Sequence, residues 1–136
     1  MGTAFSALRQ GNYTAAFAEL KPLAAQGVAS AQFDLGVMYS HGQGVKQDDA
    51  LAREWYLKAA SQGFVPAQAN LGRLYMVAPG PDRDYAKAFE WLSKAAAQGD
   101  VGAQSNLGML YLRGLGRPRD FVKAAGWFAA AAMAGN

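Results

Sequence analysis

Cysteine is absent from this 136-residue chain, and histidine occurs once. The first absence excludes disulfides, thiolate metal sites and cysteine nucleophiles. The second excludes a site built from several imidazoles. Isoleucine is also missing and threonine occurs twice, whereas alanine fills 29 positions. Strands favour β-branched residues and alanine is the strongest helix former, so the composition excludes a sheet protein. No apolar run approaches the roughly 18 residues of a membrane span, so membrane insertion is not expected. Charge is sparse, at 17% of residues, and the net charge is only +3. Nucleic-acid binders concentrate far more Lys and Arg on one face, so no nucleic-acid partner is expected. The hydrophobic content of 51% and the length are those of one globular domain able to bury its own core.

What is present repeats. Ala31-Gln32 recurs as Ala67-Gln68 and Ala103-Gln104, and Leu35-Gly36 as Leu71-Gly72 and Leu107-Gly108. Tyr39, Tyr75 and Tyr111 follow the same step, as do Asp48, Asp84 and Asp120, and Trp55, Trp91 and Trp127. The Ala-Ala pairs at 59, 95 and 131 and the glycines at 63, 99 and 135 complete the register, which advances 36 residues each time. Gly27 and the stretch before it form a degenerate copy of the second half. The boundaries drawn from these columns are a first unit over 3–30, then full units at 31–66, 67–102 and 103–136.

Apolar spacing inside a unit is helical. Ala31, Leu35 and Tyr39 fall at i, i+4 and i+8, and Leu51, Trp55, Ala59 and Ala60 share a second face. Gly/Pro-rich loops lie between the two halves. Asp48, Asp84 and Asp120 stand where a short carboxylate caps the second helix, and Gly63, Gly99 and Gly135 where a left-handed residue ends it. Glycine at 36, 72 and 108 sits mid-helix at a cost of about 1 kcal/mol against alanine, which implies close approach of another helix. Tyr and Trp, one per unit, are read as the filling between helices and not as a sugar or cofactor platform.

The pattern A-Q-x-x-L-G-x-x-Y-x-x-G-x-G-V-x-x-D-x-x-x-A-x-x-W-Y-x-x-A-A-x-x-G resembles the Sel-1-like repeat, a 36-residue relative of the tetratricopeptide repeat. Residues 31–66 match nearly throughout. The third unit has Phe128 for tyrosine, and the second replaces the Gly-x-Gly-Val loop with Ala78-Pro79-Gly80-Pro81. The resemblance implies an all-α solenoid, an α-α superhelix of about eight helices. It also implies a protein–protein interaction scaffold and not an enzyme.

No catalytic constellation stands against that reading. His41 lies at a loop edge with no serine or carboxylate recurring beside it. Gly42-Gln-Gly44 and Gly114-Leu-Gly116 are loop glycines, not phosphate cradles. No catalytic residue, cofactor or metal is assigned. Stacking in the manner of tetratricopeptide repeats would place the first helix of each unit along a concave groove. The free side of those helices carries Phe33, Asp34, Val37 and His41, then Asn70, Arg73, Met76 and Val77, then Asn106, Met109, Leu112 and Arg113. Asparagine offers a peptide backbone both donor and acceptor, and Arg73 and Arg113 suit a carboxylate. A peptide or helix of another protein is the expected partner. Solvated helix faces are the alternative, and glycan recognition would have Phe33 as its one clear groove aromatic. The basic loop of Arg113, Arg117, Arg119 and Lys123 shows no aromatic support in sequence and is read as solvated.

The last helix carries Trp127, Phe128, Ala131 and Met133, and no capping helix follows Gly135-Asn136. Exposed apolar surface there implies self-association through the C-terminal repeat, or a longer solenoid. The opening Met1-Gly2-Thr3 lacks a signal peptide and resembles the start of mature exported bacterial members of the family. A periplasmic or secreted location is the expectation, with the cytoplasm as the alternative.

Overall fold

A computed structural model describes residues 7–135. Expectations that touch residues 3–6 or Asn136 lie outside the described residues. Within them, every regular element is a helix. The seven complete α-helices are α1 (Tyr13–Ala25), α2 (Ala29–His41), α3 (Asp49–Ser61), α4 (Val65–Val77), α5 (Tyr85–Ala97), α6 (Val101–Arg113) and α7 (Phe121–Ala134), and a 3₁₀ turn, Gly80–Asp82, follows α4. A further helical segment at 7–9 precedes them. No described helix is long and apolar enough to cross a membrane. The first helices of the units begin at 29, 65 and 101, two residues ahead of the boundaries drawn from the identity columns. Two compact units divide the chain, Met1–Ala67 and Gln68–Asn136.

The loops are closed by one recurring pair of hydrogen bonds. The Asp48 amide donates to the Tyr39 carbonyl at 2.9 Å, Asp84 to Tyr75 at 2.9 Å and Asp120 to Tyr111 at 3.0 Å. Each aspartate Oδ1 then accepts from the amide three residues on, Leu51, Lys87 and Lys123, at 3.0 Å in every case. One residue thus ties the loop to the helix behind it and caps the helix ahead. This holds in the second repeat too, although its loop folds as the 3₁₀ turn.

At the far end of each hairpin, Gly63 and Gly99 take φ of 89° and 94°, as a left-handed residue after the helix should. Gly135 does not. Its φ is −79°, and its amide donates to the Ala131 carbonyl at 2.9 Å, so it prolongs the helix by an ordinary turn.

Packing within a hairpin follows from the mid-helix glycines. A Cβ at Gly36 would lie 2.6 Å from the Tyr56 ring, one at Gly72 2.6 Å from Leu92, and one at Gly108 2.9 Å from Phe128. Each glycine is the socket for a large residue 20 positions later. Burying a side chain the size of Leu92 contributes about 1.5–3 kcal/mol, which outweighs the roughly 1 kcal/mol that glycine costs the helix.

The tryptophans are not that large residue. Buried positions on α3 are Ala52, Tyr56, Ala59 and Ala60, and on α5 Ala88, Leu92, Ala95 and Ala96. Trp55 and Trp91 lie one residue, about 100°, to the side of this stripe and are half-buried. Their outer faces carry the ammonium groups of Lys58 and Lys94, at 4.5 and 4.7 Å from the ring centroids. The same step leaves Leu51 half-buried and not in the core.

Buried glutamines form the polar part of the interior. In the first unit Gln32 donates to the Ala24 carbonyl at 3.2 Å and accepts from Gln62 at 2.9 Å. In the second unit Gln98 donates to Gln68 at 3.3 Å, and Gln104 donates to the Ala96 carbonyl at 3.3 Å. The residue 30 positions after Gln104 is Ala134, which has no side-chain amide to give. Gln104 Oε1 is consequently a buried acceptor without a donor.

Candidate interaction surface

The first helix of a hairpin packs on the helices before and after it: α2 meets α1 and α3, and α6 meets α5 and α7. In the first unit Phe33, Asp34 and Val37 are half-buried on α2, with His41 exposed at its end. Phe33 is not a free platform, since its ring meets Tyr56 at 5.8 Å and Phe64 at 5.5 Å between centroids. The His41 Nδ1–H donates to the Val37 carbonyl at 3.1 Å, which engages the imidazole at the helix end. Burial pushes the Asp34 carboxyl up from its ordinary 3.8. No hydrogen bond from a described residue offsets that desolvation.

In the second unit Asn70 on α4 and Asn106 on α6 occupy the position equivalent to Asp34, and both are half-buried. Met76 and Met109 are half-buried too, whereas Arg73, Val77, Leu112 and Arg113 are exposed. Neither asparagine side chain makes a hydrogen bond to a described residue. The predicted residues therefore fall into two sets, one per unit. Among the described residues, no group of three or more His, Asp or Glu side chains is placed to hold a metal ion.

The last helix differs from its expected character. Ala131 is buried and Trp127 and Phe128 are half-buried, with Phe128 seated on Gly108. Of the four residues expected there only Met133 is exposed, at 78%, and Phe121 at 61% and Val122 at 83% join it on α7.

The basic loop packs on aromatic rings that its local sequence does not show. Aromatic support is present: the Arg117 guanidinium lies 4.3 Å from the Phe89 ring centroid and 5.2 Å from that of Tyr111. Those rings are 28 and 6 residues away in sequence, so adjacency along the chain did not reveal them. The signal lay in the doubled register, because Phe17 and Tyr39 stand 72 residues before Phe89 and Tyr111.

Comparison with known proteins agrees with this geometry. The Sel1 repeat pattern matches residues 29–64, 65–100 and 101–136. A Sel1 repeat protein from Oxalobacter formigenes is similar in structure, with a TM-score of 0.90 and 34% identity over 98% of this chain and 55% of that one. A protective antigen present in uropathogenic Escherichia coli strains, displaying an SLR fold, superposes with a TM-score of 0.82 and 40% identity. It is matched over 88% of this chain and 26% of its own, so the chain spans only about a quarter to a half of these neighbours. No curated protein matches.

Proposed function

The chain belongs to the Sel1 repeat family, and from that membership we propose that it is a non-enzymatic scaffold holding a peptide or helix of another protein. Sel1 repeats generally serve as protein-interaction scaffolds. The contact runs along the first helices, through the half-buried Asp34 in one unit and Asn70 and Asn106 in the other. One observation carries it. The same register position holds a half-buried amide or carboxylate three times, and none of these side chains has a hydrogen-bond partner among the described residues. Half-buried polar groups left to water exchange readily onto a peptide backbone.

The test is selection of peptides from a displayed random library on the wild-type chain, followed by calorimetry. Asp34→Ala, Asn70→Ala and Asn106→Ala together should weaken the selected peptides at least about tenfold, near 1.4 kcal/mol, at a melting temperature no lower than that of the wild type. Undiminished binding by the triple variant refutes this placement.

A second reading, self-association through the last repeat, is favoured by the exposed Phe121, Val122 and Met133. It predicts a mass that rises with concentration in light scattering and becomes monomeric in Val122→Lys/Met133→Lys. These positions suit the test because they are exposed, whereas Phe128 fills the Gly108 socket.

A further inference from the structure

The net charge of the chain is unevenly placed. Residues 1–67 hold five Lys/Arg and five Asp/Glu, whereas residues 68–136 hold eight and five. The whole excess of +3 therefore belongs to the second unit.

Comparison of the two units shows which of these cations the fold does not require. In the first, Phe17 and Tyr39 meet edge to face at 5.8 Å and 86°, and in the second Phe89 and Tyr111 do so at 5.5 Å and 86°. The position accompanying the first pair is Val45, one of the apolar residues packed on the core of that unit. Its counterpart 72 residues later is Arg117. Valine suffices for packing, so the arginine is not a demand of the hairpin. Contacts with two rings, at 4.3 and 5.2 Å from their centroids, hold the guanidinium in place without a carboxylate among the described residues.

Other cations gather around it. Lys123 lies 5.7 Å from the Tyr111 ring and so shares that ring with Arg117. Arg119 lies over Phe121 at 5.6 Å, Arg83 over Tyr85 at 5.6 Å and Lys87 over Tyr75 at 5.5 Å. The two segments are joined at Gly116, where a Cβ would stand 2.6 Å from the Tyr85 carbonyl oxygen. The aspartates of this region have other tasks. Asp84, Asp100 and Asp120 each accept a backbone amide at a helix start, and Asp82 is already engaged. Arg117, Arg119 and Lys123 meet ring faces and have no carboxylate partner among the described residues.

We propose that this basic edge of the second unit, centred on Arg117, docks an acidic peptide segment of a partner protein. Charge complementarity defines the occupant: several carboxylates along one short segment. Single-stranded nucleic acid is the less suitable anion because it needs open rings for its bases. Here a cation already covers a face of each of the five rings. This surface is separate from the amide positions of the first helices, and either assignment can fail without the other.

The test is fluorescence anisotropy of the full chain with a labelled Glu-rich peptide of about twelve residues, some 40 Å when extended. Its Gln-for-Glu counterpart and a labelled oligothymidine serve as comparison probes. The Glu peptide should bind at low salt and weaken as salt rises, because exposed charges are screened within about 10 Å at 0.1 M. Arg117→Val, which installs the residue of the first unit, should weaken it about tenfold without lowering the melting temperature. Lys94→Met removes the same charge from the same unit at the Trp91 ring and should change affinity less than about twofold. The proposal is overturned if Arg117→Val binds as wild type does, or if Lys94→Met weakens binding equally. It is also overturned if the Gln peptide binds equally, or if oligothymidine binds more tightly than the Glu peptide.

Discussion

Glycine-to-alanine substitution in the helices should change sign with position. Alanine stabilises an exposed helix site by about 1 kcal/mol over glycine. At Gly126, mid-way along α7, a Cβ meets no atom within 4 Å, so Gly126→Ala should gain most of that amount. At Gly36 the same Cβ would stand 2.6 Å from two carbons of the Tyr56 ring, and Tyr56 is fully buried. Overpacking of that kind costs about 1–3 kcal/mol, so the net effect is a loss near 1 kcal/mol. Gly72→Ala should be the worst, because the Leu92 backbone nitrogen at 3.1 Å cannot rotate away. Gly108→Ala should be nearly neutral, since only the half-buried Phe128 ring stands at 2.9–3.0 Å and it has room to shift. Urea unfolding followed by far-ultraviolet circular dichroism gives the four values. In thermal melts, each kcal/mol corresponds to roughly 3–5 °C for a chain of this size. The order should be Gly126→Ala, Gly108→Ala, Gly36→Ala, Gly72→Ala, from most to least stable. Equal shifts at Gly72 and Gly126 would refute the account of these glycines as sockets.

Asp84→Ala removes a cap and a loop tie, and should cost about 1 kcal/mol in urea unfolding, whereas Asp84→Asn should cost less. Ala134→Gln places an amide at the register position of Gln62 and Gln98 and should supply Gln104 Oε1 with its missing donor. The expected gain is about 0.5–1.5 kcal/mol, and the same substitution in a Gln104→Leu background should give none. Burial raises the Asp34 carboxyl, so the folded chain holds that proton more tightly than the unfolded one, and stability falls as pH rises past 3.8. Asp34→Asn should therefore raise the melting temperature at pH 7 and leave it unchanged below about pH 3.

Much of the architecture was legible because a 36-residue period fixes many columns at once. The caps at Asp48, Asp84 and Asp120 and the close helix approach at Gly36, Gly72 and Gly108 followed from residue type and position alone, but the occupants Tyr56, Leu92 and Phe128 did not. The tryptophan column misled, because identity across repeats marks an equivalent place and not a depth of burial. A step of 100° separates Trp55 from Tyr56, and only contacts reveal which of them points inward. Gly135 misled for a related reason: its column predicts a left-handed turn, yet its amide continues the helix. The shared column of Asp34, Asn70 and Asn106 was readable from spacing, but that their side chains lack hydrogen-bond partners among the described residues depends on atoms. Arg117 was missed because its rings are remote in sequence, and only the comparison of position 117 with Val45 makes its charge stand out.

The bond from each aspartate amide to the tyrosine carbonyl nine residues earlier separates two kinds of specification. Helix placement is anchored at the two ends of the loop, so what lies between is released from it. Gly-Gln-Gly-Val in one repeat and Pro-Gly-Pro in the next lead to the same closing bond at 2.9 Å. The loops thus behave as interchangeable cassettes in a fixed frame. A loop of this length can be rewritten in charge or shape while the hairpin around it keeps its register.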